Sequence, residues 1–524
     1  MPKVLLIGLD GLEPSLVHRW SEEGRLPNLA RIAEEGAFMD CASTVPPVTF
    51  PAWTTCVTGV NPGRHGMFDF TETVPGQYAI RFVNSTYRRA PALWNILSEA
   101  GKRCCVLGVP GTYPPEDING IMVAGWDSPV CTRVDRSFVS PPDAYSKVRD
   151  WHFADFQESN IGPGWHEHAL PKLLDGIGVK ERIAAELIER EPWDFFMVVF
   201  GESDTVSHHF WMFQDANSPR HRPGPANAIR DVYERLDRAV GALRTVAGRD
   251  TVIGVVSDHG FGGAGTEVIH LNNRLAELGF LRFRPARESV LKRAGLTVVP
   301  PRWRGGLFRR LTGLAARAES LARYSGIEWS QTQAWSEELD YFPSLRINLQ
   351  GREPQGVVEP GDYDDVVEAL TSTLEAWEPI ARVRRRDEVF SGPYVESAPD
   401  LIVEPALENG YSRPVLRAKG GASIERLAPD MYEGGKERGM NGTHRPTGVF
   451  MLSDAIHADA CSLADVAPTV LALLGVAAPP MDGESLVGGG AVREPATFEQ
   501  TPVAYTAEEE AVLEERLRAL GYLE

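Results

Sequence analysis

The chain has 524 residues, enough for about two to four average domains or for one large α/β domain with insertions. Hydrophobic residues make up 43% of it and charged residues 24%, the balance of an ordinary globular protein. The net charge of −19 argues against a general nucleic-acid binder, because phosphate backbones are bound by basic surfaces. The six cysteines show no CxxC spacing, so they indicate neither a disulfide framework nor a thiolate metal site.

The first predicted element is a strand over residues 4–9, a continuous apolar run that fits a parallel strand buried on both faces. The run is too short to cross a bilayer, and Asp10 follows it at once. The sequence therefore predicts a cytoplasmic protein without a transmembrane segment. Ligand-binding groups gather at the carboxyl ends of strands in open α/β sheets, which makes Asp10 a candidate. An aspartate that caps the next helix is the alternative.

Thr49 opens the next informative stretch, since Phe50, Pro51 and an apolar helical run follow it. Proline is tolerated in the first turn of a helix, so Thr49 is predicted at or just before a helix N-terminus. Unpaired N–H groups and the helix dipole favour an anion there, and a hydroxyl beside that anion can attack a phosphoryl group. A threonine that merely caps the helix is the alternative. The nucleophile interpretation requires a group that activates the hydroxyl.

Buried strands are also predicted over residues 103–109 and 193–200. The second of them leads into Asp204 and His208. These residues are four apart, so on a helix they share one face and can hold one metal ion. A solvated Asp–His pair is the alternative, but the position directly after a strand favours a ligand site.

A further strand is predicted over residues 251–256, and Asp258 and His259 follow it. Both side chains can reach inward from the turn beyond a strand end. Three separate strands thus end in a carboxylate with or near a histidine, which chance would seldom arrange.

The C-terminal part supplies His444, predicted in a loop before a strand over residues 448–452, with a surface histidine as the alternative. A helix is predicted to start at Asp465. Thr506 and Glu509 form a capping box for a last helix over residues 507–520.

Seven residues therefore supply six nitrogen or oxygen ligands and one hydroxyl. They are Asp10, Thr49, Asp204, His208, Asp258, His259 and His444. Mixed imidazole and carboxylate ligands suit Zn²⁺ or Mn²⁺ better than Ca²⁺ or Mg²⁺. Six ligands suffice for two ions, and a pair about 4 Å apart can activate a nucleophile and bind the phosphoryl oxygens. Coordination to a metal lowers the pKa of a hydroxyl, which is the activation that Thr49 requires.

Five segments carry a family resemblance: IGLDGL, VTFPAWTTCVTGVNPGRHG, ESDTVSH, SDHGF and GTH. Through them the chain resembles the alkaline phosphatase superfamily, and most closely its type I phosphodiesterase/nucleotide pyrophosphatase branch. The resemblance covers roughly residues 1–280 and 430–490. It implies an α/β fold, an α/β/α sandwich around a mostly parallel central sheet.

The resemblance also implies how the ligands are divided. One ion would be bound by Asp10, Thr49, Asp258 and His259. The other would be bound by Asp204, His208 and His444.

One position departs from the family pattern. Nucleotide pyrophosphatases of the animal type have an asparagine about twenty residues after the nucleophile that helps to hold a phosphoryl oxygen. This chain has Phe70 there, with Asp69 before it. The phosphoryl contact must come from elsewhere, and the substrate choice cannot be transferred. The sequence does not favour a sulfatase, because sulfatases need a modified cysteine or serine at the position that Thr49 occupies here.

Residues 282–323 contain eleven basic residues and only two acids in an otherwise acidic chain. This segment is predicted either to bind an anionic surface or phosphate, or, the favoured interpretation, to be a surface helix paired with the acidic body. It belongs to an inserted α+β cap predicted over residues 281–400. Residues 1–280 and 401–500 form the predicted phosphohydrolase core, and residues 501–524 a C-terminal helix.

The sequence as a whole predicts a two-metal hydrolase of phosphodiester or phosphoanhydride bonds, with a nucleotide-type substrate favoured. Thr49 would attack in line and form a covalent phospho-threonine that is then hydrolysed. A phosphomonoesterase or phosphomutase with the same metal centre is one alternative, and a non-catalytic protein that binds anionic surfaces is another. The expected partner is a small phosphorylated molecule such as a nucleotide, a dinucleotide or a lipid diester, without stable nucleic-acid binding. The sequence does not determine the oligomeric state.

Overall fold

The architecture is that of a computed structural model, which describes residues 2–125, 135–151, 164–284, 320, 323–338, 342–417, 420–428, 440–494, 498, 500–506 and 509. Most of the basic segment predicted over residues 282–323 and most of the predicted last helix lie outside the described residues, so both stay predictions. None of the helices in the described part is both long and apolar enough to cross a membrane.

The strands of the described residues form one large sheet and four small ones. In chain order they are β1 (Lys3–Leu9), β2 (Ala37–Ala42), β3 (Thr71–Thr73), β4 (Ile80–Phe82), β5 (Cys104–Val109), β6 (Gly120–Ala124), β7 (Val139–Ser140), β8 (Phe195–Phe200), β9 (Thr251–Val256), β10 (Gly260–Gly263), β11 (Glu267–Ile269), β12 (Ala334–Trp335), β13 (Ser344–Ile347), β14 (Ile380–Arg385), β15 (Leu401–Pro405), β16 (Ile424–Arg426), β17 (Gly442–Arg445), β18 (Thr447–Leu452) and β19 (Cys461–Ser462).

The large sheet has nine strands in the order β19-β2-β18-β9-β1-β8-β5-β6-β7. Its five central strands, from β9 to β6, are all parallel, whereas β18 and β7 run antiparallel to their neighbours. The strands predicted over 103–109, 193–200 and 251–256 are confirmed as β5, β8 and β9. They could be predicted because a strand covered on both faces must be apolar throughout.

Helices cover both faces of this sheet. The α-helices of the described residues are α1 (Pro14–Glu22), α2 (Pro27–Glu35), α3 (Thr49–Thr58), α4 (Pro62–His65), α5 (Leu93–Glu99), α6 (Tyr145–Val148), α7 (Trp165–Arg190), α8 (Glu202–Gln214), α9 (Ala228–Ala247), α10 (Leu271–Glu277), α11 (Tyr363–Glu375), α12 (Arg386–Val389) and α13 (Val466–Leu473). On one face Leu5 and Ile7 of β1 share a core with α7 and α9. On the other, Val4 and Leu6 pack with α3, α5 and α13. Successive strand residues point to opposite faces, so these two cores confirm the predicted α/β/α sandwich.

Helix α7 shows where sequence periodicity fails. The sequence pattern favours a helix only over residues 183–188, yet the helix runs over 26 residues, from Trp165 to Arg190. Pro171 and the glycines within it weaken the helical pattern of the first half. The helix is stabilised instead by its packing against α9 across a shared apolar core.

A smaller antiparallel sheet, with the order β12-β13-β15-β14, has a separate apolar core together with α11. Most of it falls within the predicted cap, although β15 lies just beyond residue 400. The division of the chain into core, cap and C-terminal helix stays a prediction.

Candidate active site

Three adjacent strands of the large sheet bring three aspartates together. β1 lies between β9 and β8, and all three run in the same direction. Asp10 follows β1, Asp258 lies two residues after β9, and Asp204 lies in the first turn of α8, directly after β8. Because parallel strands end at the same edge, the topology gathers these carboxylates at the carboxyl edge of the sheet.

Asp10, Asp258 and His259 form one group, in which ligand atoms of all three lie within 4.8 Å of one another. The Nε2 atom of His259 is 3.3 Å from Oδ2 of Asp258 and 3.6 Å from Oδ1 of Asp10. The other oxygen of each carboxylate is held by the protein. Gly11 N–H donates to Oδ1 of Asp258 at 3.2 Å, and Trp53 Nε1–H donates to Oδ2 of Asp10 at 3.0 Å.

Asp204, His208 and His444 form the adjoining group. The Nε2 atoms of His208 and His444 lie 3.2 Å and 3.3 Å from Oδ1 of Asp204, and 3.2 Å from each other. Asp204 and His208 share one face of α8, as their spacing of four predicted. His259 connects the two groups, because its ring stacks on that of His444 with centroids 3.6 Å apart.

The surroundings of His444 correct one prediction. This residue lies in strand β17, not in a loop, and β17 pairs antiparallel with β10 so that His444 faces Phe261. The strand is only four residues long and begins with a glycine, so the sequence carries no clear strand pattern. Its pairing with β10, far away in sequence, places His444 beside His208 and His259.

The three histidine rings are oriented in the same way. In each, Nδ1–H donates to a main-chain carbonyl, which leaves Nε2 as the acceptor at the centre of the site. The carbonyls belong to Gly442 for His208 at 2.8 Å, to Pro47 for His444 at 2.8 Å and to Gly260 for His259 at 3.1 Å. Burial lowers the pKa of His259 and of His444, which favours neutral rings with free lone pairs.

Thr49 is the first residue of helix α3, as predicted, and only 1% of its surface is exposed. Its Oγ1 atom has no hydrogen-bond partner. Val48 before it has no side chain that can cap the helix. The helix start is held between the two groups: Pro47 contacts His444, and Trp53, one turn after Thr49, contacts Asp10.

Burial makes the carboxylates costly to ionise. It raises the pKa of Asp10 well above its ordinary value, and the charge of Asp258 raises it further. Burial also raises the pKa of Asp258. It acts in the same direction on Asp204, but His208 and His444 outweigh it and hold the pKa of Asp204 well below its usual range. Among the described residues, no lysine or arginine pairs with any of these aspartates.

The donor set fits divalent metal ions. Five buried polar atoms have no hydrogen-bond partner, four from the two groups and one from Thr49: Asp10 Oδ1, Asp204 Oδ1, Asp258 Oδ2, His259 Nε2 and Thr49 Oγ1. Natural proteins rarely leave so many buried polar atoms unsatisfied in one place. Carboxylate and imidazole atoms that converge in this way are ligands for zinc or manganese, whose positive charge would compensate the buried carboxylates.

Phe70, at the position of the family asparagine, has a side chain without an amide to bind a phosphoryl oxygen. It packs on Phe50 with ring centroids 4.2 Å apart. Asp69 is buried beside it, and burial raises its pKa to about 7. Asp69 lines a cavity of about 280 Å³ between the β3–β4 hairpin and the smaller sheet, and none of the seven candidate residues borders this cavity.

The structure adds residues that the sequence analysis missed. Trp53 and the carbonyls of Pro47, Gly260 and Gly442 orient the candidate ligands without being candidate ligands themselves. The only signal for Trp53 was its position one helical turn after Thr49. Main-chain carbonyls leave no signal in a sequence.

Comparison with known proteins identifies the class of this chain. Residues 4–414 match the family described as type I phosphodiesterase/nucleotide pyrophosphatase. The chain therefore belongs to this family of phosphodiesterase- and pyrophosphatase-type hydrolases, within the alkaline phosphatase superfamily. The matched region contains six of the seven candidate residues and ends before His444.

Solved structures confirm the fold. Phosphonoacetate hydrolase from Sinorhizobium meliloti 1021, in complex with phosphonoformate, is similar with a TM-score of 0.52 and 16% identity, over 91% of this chain and 95% of that chain. Human ectonucleotide pyrophosphatase/phosphodiesterase 5 gives a TM-score of 0.47 and 14% identity, over 92% of this chain and 97% of that chain. No curated protein matches the chain. At these identities the first likeness shows the fold alone.

Proposed function

We propose that this protein is a two-metal hydrolase of phosphodiester or phosphoanhydride bonds that works through a covalent phospho-threonine. The observation that carries the proposal is the buried, unpartnered hydroxyl of Thr49 at a helix N-terminus, in a chain whose buried ligand atoms converge beside that helix. A hydroxyl kept free of hydrogen bonds in a buried polar site is suited to attack, not to structure.

The residues present fit two ions, Zn²⁺ or Mn²⁺. We assign one ion to Asp10, Thr49, Asp258 and His259, each of which has a buried atom without a hydrogen-bond partner. Ligand atoms of Asp10, Asp258 and His259 also lie within 4.8 Å of one another. We assign the other to the second group. It comprises Asp204, His208 and His444. Such ions, when bound, lower the pKa of a nearby hydroxyl and neutralise charge on a phosphoryl group.

Thr49 performs the covalent step. Its Oγ1 forms a bond to phosphorus while the opposite P–O bond breaks and the leaving oxygen departs with the electron pair. The N–H groups at the start of α3 would stabilise the charge on the phosphoryl oxygens, because Val48 supplies no cap that competes for them. Water then attacks phosphorus from the other side and regenerates the Thr49 hydroxyl.

Substrate specificity would be determined by residues outside the two groups of candidate ligands. A nucleotide-type diester is the favoured substrate, and the smaller sheet with its neighbours, over about residues 281–400, would act as a cap that selects it. The basic segment 282–323 would pair with the acidic body. The cytoplasmic location expected from the sequence stays a prediction.

The test is a substrate screen with the metal content measured alongside. Purified protein supplied with Mn²⁺ or Zn²⁺ is compared on bis(4-nitrophenyl) phosphate and 4-nitrophenyl phosphate, then on nucleotide, cyclic dinucleotide and lipid diesters and on phosphonoacetate. We expect faster turnover of the diester. In protein quenched with acid during turnover of bis(4-nitrophenyl) phosphate, we expect a phosphoryl group on Thr49 that still carries one 4-nitrophenyl ester, because only one of the two ester groups has left. Faster turnover of the monoester would favour a phosphomonoesterase or phosphomutase. No turnover by metal-loaded protein would favour a non-catalytic binding protein.

A further inference from the structure

Among the described residues, the indole of Trp53 lies outside the seven candidates and donates a hydrogen bond to one of their carboxylates. Its Nε1–H lies 3.0 Å from Oδ2 of Asp10, and both residues are fully buried. A charge-assisted hydrogen bond of this kind is among the stronger ones, and burial strengthens it. Trp53 therefore determines the orientation of the Asp10 carboxylate group.

The backbone of β1 makes room for this indole. A Cβ atom at Gly8 would lie 2.5 Å from Cη2 of Trp53, a distance at which one of the two must move. Gly8 sits two residues before Asp10 on the same strand. The glycine thus lets the indole approach β1 closely and reach the carboxylate just beyond the end of that strand.

The contact makes the two oxygens of Asp10 unequal. Oδ2 is occupied by Trp53, whereas Oδ1 has no hydrogen-bond partner and lies 3.6 Å from Nε2 of His259. Trp53 also stands four residues after Thr49, on the same face of α3. One helix therefore carries both the hydroxyl and the group that orients a carboxylate beside it.

We propose that Trp53 is a positioning residue that directs Oδ1 of Asp10 toward a divalent cation and keeps the Thr49 helix in register with that carboxylate. This inference rests on the proposed metal centre, since it assigns no cation of its own. It adds a residue that lies within the Thr49 segment but is neither a candidate ligand nor the nucleophile. Partners that orient a ligand in this way commonly change metal affinity by about 10- to 100-fold when removed.

Trp53→Phe removes the N–H while keeping an aromatic ring. The matched control is Trp94→Phe. Trp94 is also fully buried, and its Nε1–H donates to the carboxylate of Glu116 at 2.9 Å, outside the candidate site. Metal-free proteins are titrated with Zn²⁺ or Mn²⁺ by calorimetry. We expect the dissociation constant of one of two ions to rise about 10- to 100-fold in Trp53→Phe and to stay unchanged in Trp94→Phe.

Equal affinity in the wild type and Trp53→Phe would overturn the inference while leaving the metal centre intact. An equal loss in both variants would also overturn it, because general destabilisation would explain both. A wild type that binds no divalent ion would instead overturn the proposed function. If Trp53→Phe does not fold, the benzothienyl analogue at this position keeps the shape of the indole and lacks only the donor, so the same titration decides.

A separate observation concerns two cysteines. Cys41 on β2 and Cys461 on β19 are register partners in a parallel pair, and their Sγ atoms lie 3.0 Å apart in the buried core. Neighbouring strands are about 4.8 Å apart, which is within the Cα separation that a disulfide spans. Disulfide closure requires the sulfurs to approach to about 2.05 Å, a shift of roughly one ångström.

We infer that Cys41 and Cys461 form a cross-link site for a disulfide oxidant. One thiolate attacks the oxidant to give a mixed disulfide, and the second then displaces the reduced thiol, so the two cysteines lose two electrons and two protons to the oxidant. Burial raises the pKa of Cys41 well above its ordinary value, so the reaction proceeds before these strands are buried during folding. The bond would tie the C-terminal strand β19 to the segment that leads into Thr49.

Refolding in oxidised glutathione, followed by alkylation, digestion without reductant and mass spectrometry, tests this site. We expect a linked Cys41–Cys461 peptide, absent from Cys461→Ala but present in Cys104→Ala, and a melting temperature a few degrees higher than that of reduced protein. Alkylation of both cysteines after oxidative refolding, or a bond from Cys41 to Cys56 instead, would overturn the inference. Protein expressed in an oxidising compartment and digested in the same way decides the question if refolding fails.

Discussion

Asp10 and Asp400 are equally buried, each 1% exposed, yet their surroundings are opposite. Asp400 accepts hydrogen bonds from Ile347 N–H at 2.7 Å, from Tyr363 Oη at 2.8 Å and from Arg352 at 2.6 and 2.8 Å. Burial alone would raise its pKa, but these partners hold it below the ordinary value. Asp10 has one neutral donor, Trp53, and an unpartnered oxygen, and its pKa is raised.

The difference shows that burial of a charge does not by itself indicate function. The charge of the Asp400 carboxylate is compensated by groups of the protein itself. Its hydrogen bonds therefore connect β13 and β15 of the smaller sheet with helix α11. The carboxylates of Asp10 and Asp258, at the edge of the large sheet, lack such compensation. Their ionised forms are stable only if another group supplies positive charge. The following predictions test this contrast, from the largest expected effect to the smallest.

Thr49→Ala should remove at least nine tenths of the turnover while metal binding stays largely intact. In the proposed mechanism Thr49 supplies the nucleophile and one metal contact, and Asp10, Asp258 and His259 would still hold the same ion in the variant. Steady-state turnover and metal content by mass spectrometry check both parts. The control is Thr58→Ala on the same helix, whose buried hydroxyl donates to the carbonyl of Thr54 at 2.6 Å. More than a tenth of wild-type activity in Thr49→Ala would exclude the phospho-threonine.

His444→Ala should lower the metal content from about two ions per chain toward about one, with activity partly restored by excess metal. Its ring is one of three protein ligands proposed for that ion, and loss of one opens the site to exchange. Metal analysis after extensive dialysis measures the effect. His270→Ala, which removes a buried histidine bonded to Glu425 and to the carbonyl of Leu416, is the control. Two retained ions in His444→Ala would remove this residue from the ligand set.

Asp400→Asn and Asp10→Asn should have opposite effects on stability and on metal binding. Asp400→Asn should lower the free energy of unfolding by about 2 to 4 kcal/mol, because Arg352 loses its buried partner, and should leave metal binding unchanged. Asp10→Asn should stabilise the metal-free protein or leave it unchanged, because it removes repulsion from Asp258, and should weaken metal binding. Urea unfolding and metal titration of both variants measure this. If both lost stability equally, the contrast between the two regions would be wrong.

Asp69 provides a pH test, because it is buried and no ion pair is found for it among the described residues. Burial raises its pKa to about 7, so the carboxyl is neutral in the folded protein at low pH. The stability it contributes is therefore present below the unfolded pKa of about 4 and is lost as the pH rises to about 7.

The pH dependence is measured by urea unfolding at pH 4 and pH 8 for the wild type and for Asp69→Asn. Relative to the variant, the wild type should lose about 2 to 4 kcal/mol over this interval. An exposed aspartate, Asp364, changed to Asn serves as the control and should show no such difference. Parallel pH profiles of the wild type and Asp69→Asn would show that Asp69 is ionised in the folded state.

The smallest effect is expected for reversal of four charges in the basic segment, Arg302, Arg304, Arg309 and Arg310, all outside the described residues. If this segment pairs with the acidic body, the reversal should lower the melting temperature and leave the salt dependence of kcat/KM unchanged. If the segment instead attracts an anionic substrate to the site, the charge-reversed variant should show a lower kcat/KM than the wild type, with kcat nearly unchanged. The higher kcat/KM of the wild type would then shrink as salt is added, because the screening length falls to about 8 Å at physiological ionic strength.

The sequence by itself determined the class of fold and most of the proposed ligand set. Buried parallel strands must be apolar throughout, so β1, β8 and β9 stand out, and polar residues at their ends are conspicuous. The spacing of Asp204 and His208 specifies a shared helix face, because helical geometry is local. These features depend on neighbours within a few residues, which a linear pattern records.

Tertiary structure alone decided the rest. The pairing of β17 with β10 brings His444 to His259, and the small side chain of Gly8 admits the indole that holds Asp10. The same burial yields a satisfied carboxylate at Asp400 and an unsatisfied one at Asp10, because arginines and main-chain N–H groups from remote segments reach only the first. Such contacts join residues far apart in the chain, and composition and periodicity carry no record of which distant groups will meet.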